Sequence, residues 1–338
     1  HRKTGRKMSL FHLSHTDLDG YAAQFVSKFY FQNVKFFNSN YGKEIEDKFE
    51  LILSEANSGD IILITDLNIT LTQCEKFDKL CREKELHLFL LDHHQSGAEC
   101  ATAYNWYYLD NSRCATKITY EFFSEIYGEN SEISRIVSIT DAVDIWQKTH
   151  EDFEFGKVCM ELIASAKEIN KIMFDSLSRE YIFYLIEKTL KFNDYVALDE
   201  AIHRIKKAFF MREKDDSLMN LVSKFIVGEL SKNAQKFEIN FGDKRGILTY
   251  NIGSVSIIGN DFLVQNPQYD FFIDVTSRKT LSFRANGKMD VSNLAKILVG
   301  GGGHVNASGG FFAGFKDSFD YDQIKIQITN LIASKTQI

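Results

Sequence analysis

The sequence predicts an α/β protein: a doubly wound parallel-sheet domain, a helical connector, and a smaller mixed α/β domain at the carboxyl end. Three observations predict it. Short apolar runs alternate with stretches of helical period over the first hundred residues, as in a parallel sheet wound by helices. From Phe153 to about Lys236 the pattern stays helical, with no proline and few glycines. From Phe237 onward it becomes β-rich. The expected boundaries are 8–215 for the first domain, 216–236 for the connector and 237–338 for the second domain.

Taken in order, Met8 to His15 reads as a first strand and Gly20 to Phe31 as an amphipathic helix. Val34 to Phe37 is a short strand, and Asp60 to Thr65 is a buried strand ending at Asp66. Thr70 to Glu85 follows as a helix capped by Thr70 or Thr72. It leads into Leu86–Leu91, an apolar run bounded by charge and read as another buried strand. A helix is expected to start at Asn111 or Ser112, and Ile133 to Trp146 has helical period. In the last third, FEINF, RGILTYNI, SVSIIG, DFFIDVT and LSFRAN are successive strand candidates, with Ser277-Arg278-Lys279 as a turn. Val291 to Val299 and the stretch from about Tyr321 read as helices.

Composition narrows the function classes. At 338 residues the chain is long enough for two full cores, and 44% hydrophobic with 25% charged residues is ordinary for a globular enzyme. No apolar run approaches the roughly 20 residues of a membrane-spanning helix, so no membrane partner is expected. His1 to Lys7, basic and poor in apolar residues, read as an appended or frayed tail, with Met8 as the expected natural start and no export signal. Five cysteines without a CxxC pair fit reduced thiols and a cytoplasmic location. A net charge of −6 argues against a protein that coats long duplex nucleic acid. The acidic excess lies in the first two-thirds, where cations are expected; the remainder is mildly basic and suits a short anionic substrate.

The chemistry gathers at strand ends. Asp92-His93-His94 closes the Leu86–Leu91 strand, where open α/β sheets bind ligands. Carboxylate plus imidazole is a donor set that Mn²⁺ accepts. Asp17-Leu18-Asp19-Gly20 closes the first strand. As a calcium loop it fails, because Lys28 stands at the twelfth position, where an acid is needed. It remains either a metal-binding pair of acids, with Gly20 admitting close backbone approach, or a simple helix cap. Asp66, alone, reads as a turn residue. Acids or imidazoles at three successive strand ends favour a dinuclear site, in which two ions share a bridging carboxylate. Gly300 to Gly303, followed by His304, permit unusual backbone conformations and offer N–H groups to an anion. Arg113 and Ser112, at the expected helix start, are candidates for phosphate contact or for ordinary capping.

These motifs, SHTDLDG (14–20), Asp66 after IILIT, LDHH (91–94), an acid within SITDAVD (138–144) and GGGGHVNASGG (300–310), run in one order along most of the chain. In that combination the chain resembles the DHH phosphoesterase superfamily, in the subgroup with a DHH-associated carboxyl-terminal domain. It is most similar there to oligoribonucleases (nanoRNases) and RecJ-like phosphodiesterases. The resemblance implies that Asp17 serves one ion, Asp19 the other, and that Asp66 bridges them. It further implies His93 and Asp141 in the second ion's shell, with Asp144 the alternative to Asp141. His94 would contact phosphate or orient the site, and Asp92 would support an imidazole. Some relatives carry the first histidine four residues before the first acid, a position held here by Leu13, so His15 is either a ligand or a substrate contact. Arg284, His304 and the backbone of Gly301, Gly302 and Gly303 would hold a phosphate or a terminal nucleotide.

The expected activity is therefore a hydrolase, a phosphodiesterase that trims short RNA or linear dinucleotides such as pGpG to mononucleotides. It would use two Mn²⁺ ions, with Mg²⁺ or Co²⁺ as possible substitutes, by the superfamily's bridging-hydroxide mechanism. Exopolyphosphatase, pyrophosphatase or nucleotide phosphatase activity is the alternative, because the metal half is shared. A metal-independent RNA-binding module is a third reading. A homodimer is compatible with all three.

Overall fold

The computed structural model describes residues 8–336, so the His1–Lys7 tail lies outside the described residues. The chain divides into two compact units: residues up to Ala166 together with Ile182–Ile202, and Lys167–Tyr181 together with His203–Ile338. The expected connector, 216–236, falls in the second unit.

The first unit alternates strand and helix as expected. Its opening elements are β1 (Leu10–Ser14), α1 (Leu18–Tyr30), β2 (Val34–Asn38), α2 (Lys43–Glu55), β3 (Ile61–Thr65) and α3 (Leu71–Glu83). They are followed by β4 (His87–Asp92), α4 (Ala98–Ala103), β5 (Tyr107–Leu109), α5 (Ala115–Tyr127), α6 (Ser131–Asp144) and α7 (Phe153–Ser165). Helix α8 (Asp175–Thr189) runs from the second unit into the first, and α9 (Tyr195–Phe210) runs back. The five strands are all parallel, in the order β2-β1-β3-β4-β5.

Side chains alternate across the sheet, and each face has its own helices. Phe11 and Leu13 of β1, Ile62 and Ile64 of β3, and Leu88 and Leu90 of β4 share one core with Ile45, Phe49 and Ile52 of α2 and Phe77 of α3. Phe49 and Phe77 stack at 3.7 Å and are fully buried, each contributing about 2–3 kcal/mol of apolar burial. Helices α1, α5 and α6 pack together on the other face, where Phe89 meets Phe122 of α5.

Two local expectations shift. Helix α2 was not anticipated, although Ile45, Phe49 and Ile52 lie at helical spacing. Helix α5 starts at Ala115 with Cys114 as its cap, not at Asn111 or Ser112; those two precede it, and Ser112 folds onto Asp110. Thr70 caps α3 in a full capping box with Gln73, as one of the two expected caps.

The second unit carries α10 (Leu218–Lys232), α11 (Ala234–Phe237), β6 (Glu238–Phe241), β7 (Lys244–Tyr250), α12 (Val255–Gln265), β8 (Phe271–Val275) and β9 (Thr280–Ala285). It ends with α13 (Val291–Val299), β10 (Gly302–His304), β11 (Ala307–Phe311) and α14 (Tyr321–Thr336). Its six strands lie in the order β10-β11-β9-β8-β7-β6, and only β7 and β8 run parallel. That parallel pair corrects the expectation for SVSIIG. A parallel connection needs a crossover, and this segment supplies it as α12, burying Ile258, Gly259, Phe262 and Leu263. No helix among the described residues is long and apolar enough to cross a membrane.

Candidate metal centre

Strands β1, β3 and β4 are neighbours in exact parallel register, with Ser14 beside Thr65 and Thr65 beside Leu91. Whatever follows them emerges together at one edge. Strand β1 leads outward to β2 on one side while β3, β4 and β5 lie on the other, so the order reverses at β1/β3, where open α/β sheets bind ligands.

Asp66 sits at that reversal. It is 2% exposed and adopts φ 55°, a left-handed conformation that side chains other than glycine rarely take. Such strain persists where the surroundings hold it and clusters at functional sites. Its Oδ2 lies 3.8 Å from His15 Nδ1 and its Oδ1 lies 3.4 Å from His93 Nε2, so the carboxylate faces two separate imidazoles.

On one side of Asp66, His15 Nδ1 is 2.9 Å from Asp17 Oδ2, while Asp17 Oδ1 accepts the Gly20 N–H and caps α1. The two readings of Asp17, cap and cluster member, are thus both realised by one carboxylate. Gly20 is required for a different reason from close ligand approach: a Cβ there would lie 2.4 Å from the His15 carbonyl oxygen. On the other side, His93 Nε2 lies 3.5 Å from Asp19 Oδ2 and 3.4 Å from Asp144 Oδ2. Asp19 also accepts the N–H groups of Ala115 and Thr116 at 2.8 and 2.7 Å, so the amino end of α5 holds it in place.

The structure separates the two candidates for the fourth acid. Asp141 does not join the cluster; Asp144, one turn further on, does. Asp141 Oδ1 accepts the Cys114 N–H at 2.8 Å, and its Oδ2 accepts from Lys117 Nζ at 2.9 Å and from Gln147 Nε2 at 3.3 Å. Both oxygens are spent on joining α6 to α5.

The electrostatics of the cluster point to a cation. Burial, reinforced by Asp19 and Asp17, pushes the Asp66 carboxyl well above the usual range. Burial with the same two acids pushes Asp144 to about 9. Burial also raises Asp19, against the pull of His93. Desolvation pushes Asp17 up as well, but its side chain is 49% exposed, and the hydrogen bond and charge of His15 bring it down to about 2. Asp66 Oδ2 and Asp144 Oδ2 are buried without a hydrogen-bond partner. Buried carboxylates left in this state are costly unless a positive charge compensates them. Separations of 3.4–3.5 Å around His93 Nε2 are long for charge-assisted hydrogen bonds and suit atoms sharing an ion. The oxygen and imidazole donors, with no thiolate among them, fit a hard-to-borderline divalent metal such as Mn²⁺.

His94 and Asp92 each offer a donor atom to a third grouping, with Asp66 and His93. His94 Nδ1 is 2.7 Å from Asp92 Oδ1, and the other Asp92 oxygen accepts the Tyr107 hydroxyl at 3.3 Å. The Asp92 hydrogen bond raises the His94 pKa, favouring an imidazolium ready to meet an anion. Arg113 is committed elsewhere: it donates to Asp110, Glu121 and Tyr108. It lies outside the cluster.

In the second unit, His304 and Arg284 both pair with Ala307 in the sheet register, which puts them in one cross-strand row. Arg284 donates to Ser256 at the start of α12 and to the Phe283 carbonyl. The glycine run is divided between a helix end and a strand. The N–H groups of Gly300 and Gly301 close the carboxyl end of α13 on Lys296 and Ala295. Gly302 and Gly303 form strand β10, and Gly303 takes φ 153° where a Cβ would strike the Ala307 carbonyl oxygen.

A parallel sheet thus gathers carboxylates and imidazoles at the ends of three adjoining strands. The chain is 39% identical, over 96% of its length and 99% of the relative's, to a 3′,5′-cyclic-nucleotide phosphodiesterase of Helicobacter pylori. It belongs to that phosphodiesterase family. The crystal structure of an uncharacterized Helicobacter pylori G27 protein matches with a TM-score of 0.89 at 39% identity, covering 97% of this chain and 100% of that one. A pGpG-specific phosphodiesterase from Vibrio also aligns, over 97% of this chain and 100% of its own, but at 13% identity and a TM-score of 0.34, too low to carry an argument. No protein-family model matches.

Proposed function

We propose that this chain is a divalent-metal phosphodiesterase of small nucleotides, working with two ions, Mn²⁺ foremost and Mg²⁺ or Co²⁺ as substitutes. The observation that carries the reading is Asp66: a buried carboxylate at φ 55° that turns one oxygen toward His15 and the other toward His93. His15, Asp17 and Asp66 would hold one ion, and Asp19, Asp66, His93 and Asp144 the other. Such ions supply Lewis acidity toward phosphoryl oxygens and lower the pKa of water. The remaining work falls to the protein. Asp92 fixes the His94 ring, whose Nε2 is then free of Asp92 to meet the substrate phosphate. The amino end of α5 fixes Asp19, and the Lys117 and Cys114 contacts of Asp141 keep α5 and α6 in register.

The substrate reading carried by the relative is a 3′,5′-cyclic nucleotide. A second reading, short linear oligoribonucleotides including pGpG-type dinucleotides, rests on the resemblance to oligoribonucleases; within the second unit, the row of His304 and Arg284 would offer positive charge to a phosphate. A product time course with Mn²⁺ separates them. The panel comprises 3′,5′-cyclic mononucleotides, linear dinucleotides, longer oligomers, cyclic dinucleotides and polyphosphate. Release of mononucleotides from the first two classes supports the proposal. Phosphate from polyphosphate, with every phosphodiester untouched, would overturn it in favour of a phosphatase.

A further inference from the structure

Tyr41 occupies a place for which nothing so far has accounted. It lies in the β2–α2 loop and is 44% exposed, yet its ring is 5.2 Å from the His15 ring and edge-on to the His94 ring at 6.2 Å. It therefore touches one imidazole from each side of the cluster.

Its loop is held firmly. Ser39 N–H donates to the Ser14 carbonyl at the end of β1, and Thr16 Oγ1 donates to Asn40 Oδ1. Asn40 donates twice to the buried carboxylate of Glu44, in the first turn of α2. Gly42, at φ 93°, makes the turn that brings α2 in directly behind Tyr41. The ring is thus tied to the same β1–α1 loop that carries His15 and Asp17.

Its hydroxyl is only loosely engaged. The hydroxyl lies 3.5 Å from His94 Nε2, well beyond the spacing of a strong hydrogen bond. A phenol hydroxyl on a ring held in place by its loop, beside a cluster of anions and imidazoles, is suited to an oxygen that arrives later.

We propose that Tyr41 is a catalytic residue of this chain: its hydroxyl donates a hydrogen bond to a non-bridging oxygen of the scissile phosphate. This deepens the phosphodiesterase reading and rests on it. Negative charge grows on those oxygens as the phosphorus is attacked, so a preoriented neutral donor there stabilises the transition state more than the ground state. The ring keeps a second task, covering His15.

Tyr41→Phe removes the hydroxyl and keeps the ring. The expected result is a fall in kcat of about 100-fold with KM changed less than about threefold, at unchanged manganese content. Calorimetric binding of inorganic phosphate to the manganese-loaded protein should weaken in the same variant. A Tyr41→Phe protein with wild-type kcat and wild-type phosphate affinity would overturn the proposal, as would loss of bound manganese, which would make Tyr41 a support for His15 alone. If the wild type hydrolyses no phosphodiester, the functional reading fails. The phosphate measurement then still decides whether Tyr41 contacts the anion.

Discussion

Asp144 and Asp141 lie three residues apart on α6, and exchanging either for asparagine should have opposite consequences. Without an ion the Asp144 carboxyl sits at about 9, so at pH 7.5 only about 3% of it is ionised, and ionising the rest costs ~2 kcal/mol. In the proposed metal-loaded protein, ion binding would supply that energy. Asp144→Asn removes the need to ionise together with the negative ligand, so the metal-free fold should be as stable as wild type or more so. Losing several kcal/mol of ion–carboxylate interaction should lower manganese affinity and hydrolysis by at least about 100-fold. Asp141→Asn keeps an oxygen for the Cys114 N–H and loses the charge facing Lys117. Lys117 is 39% exposed, so that loss is discounted to ~1 kcal/mol, a fall in Tm of about 2–4 °C, with kcat within about threefold of wild type. Calorimetric manganese titration, thermal melts and initial rates on the two variants make the comparison. If Asp141→Asn abolished ion binding while Asp144→Asn retained it, the assignment of the fourth acid would be refuted.

Three further outcomes follow from the same structure. Asp66 and Asp144 are raised in the metal-free fold, so they lend stability that is fully present below the unfolded carboxylate pKa of about 4. That stability is lost as pH rises through the folded value, about 9 for Asp144; metal-free melts should fall over this window and manganese should flatten the trend. Ion binding must expel those protons, so manganese affinity should climb about tenfold per pH unit for each proton expelled between pH 6 and 8; calorimetry showing no pH dependence would contradict this. In the second unit, burial raises Asp274 to about 6 despite hydrogen bonds from Thr249 and the Ile252 N–H, a cost of ~3 kcal/mol once it is ionised. Asp274→Asn should therefore raise stability by about 1–3 kcal/mol at pH 8 and leave it little changed at pH 4; denaturant titration at the two pH values checks this.

Much of this was legible in the chain because buried parallel strands announce themselves as apolar runs, and the residues ending them must share an edge. Asp17, Asp19, Asp66 and His93 follow from that geometry. What stayed hidden depends on packing. Asp141 and Asp144 both face the same side of α6, and only the amino end of α5, capturing Asp141 through Cys114 and Lys117, leaves Asp144 for the cluster. SVSIIG is rich in β-branched residues and too short for its period to speak; the parallel pairing of β7 and β8 makes it a helix. The glycine run offered conformational freedom, but the structure spends two of its N–H groups on ending α13. Tyr41 carries no local signal, since its place beside His15 and His94 arises from a loop following a different strand.

The central claim is that hydrolysis of small nucleotide phosphodiesters runs on ions held around Asp66. Its most direct test is the initial rate of that hydrolysis on chelator-treated protein as manganese is returned. The account predicts no turnover at the start and a rise that saturates with two ions bound per chain. Undiminished turnover in the chelator-treated protein would contradict it.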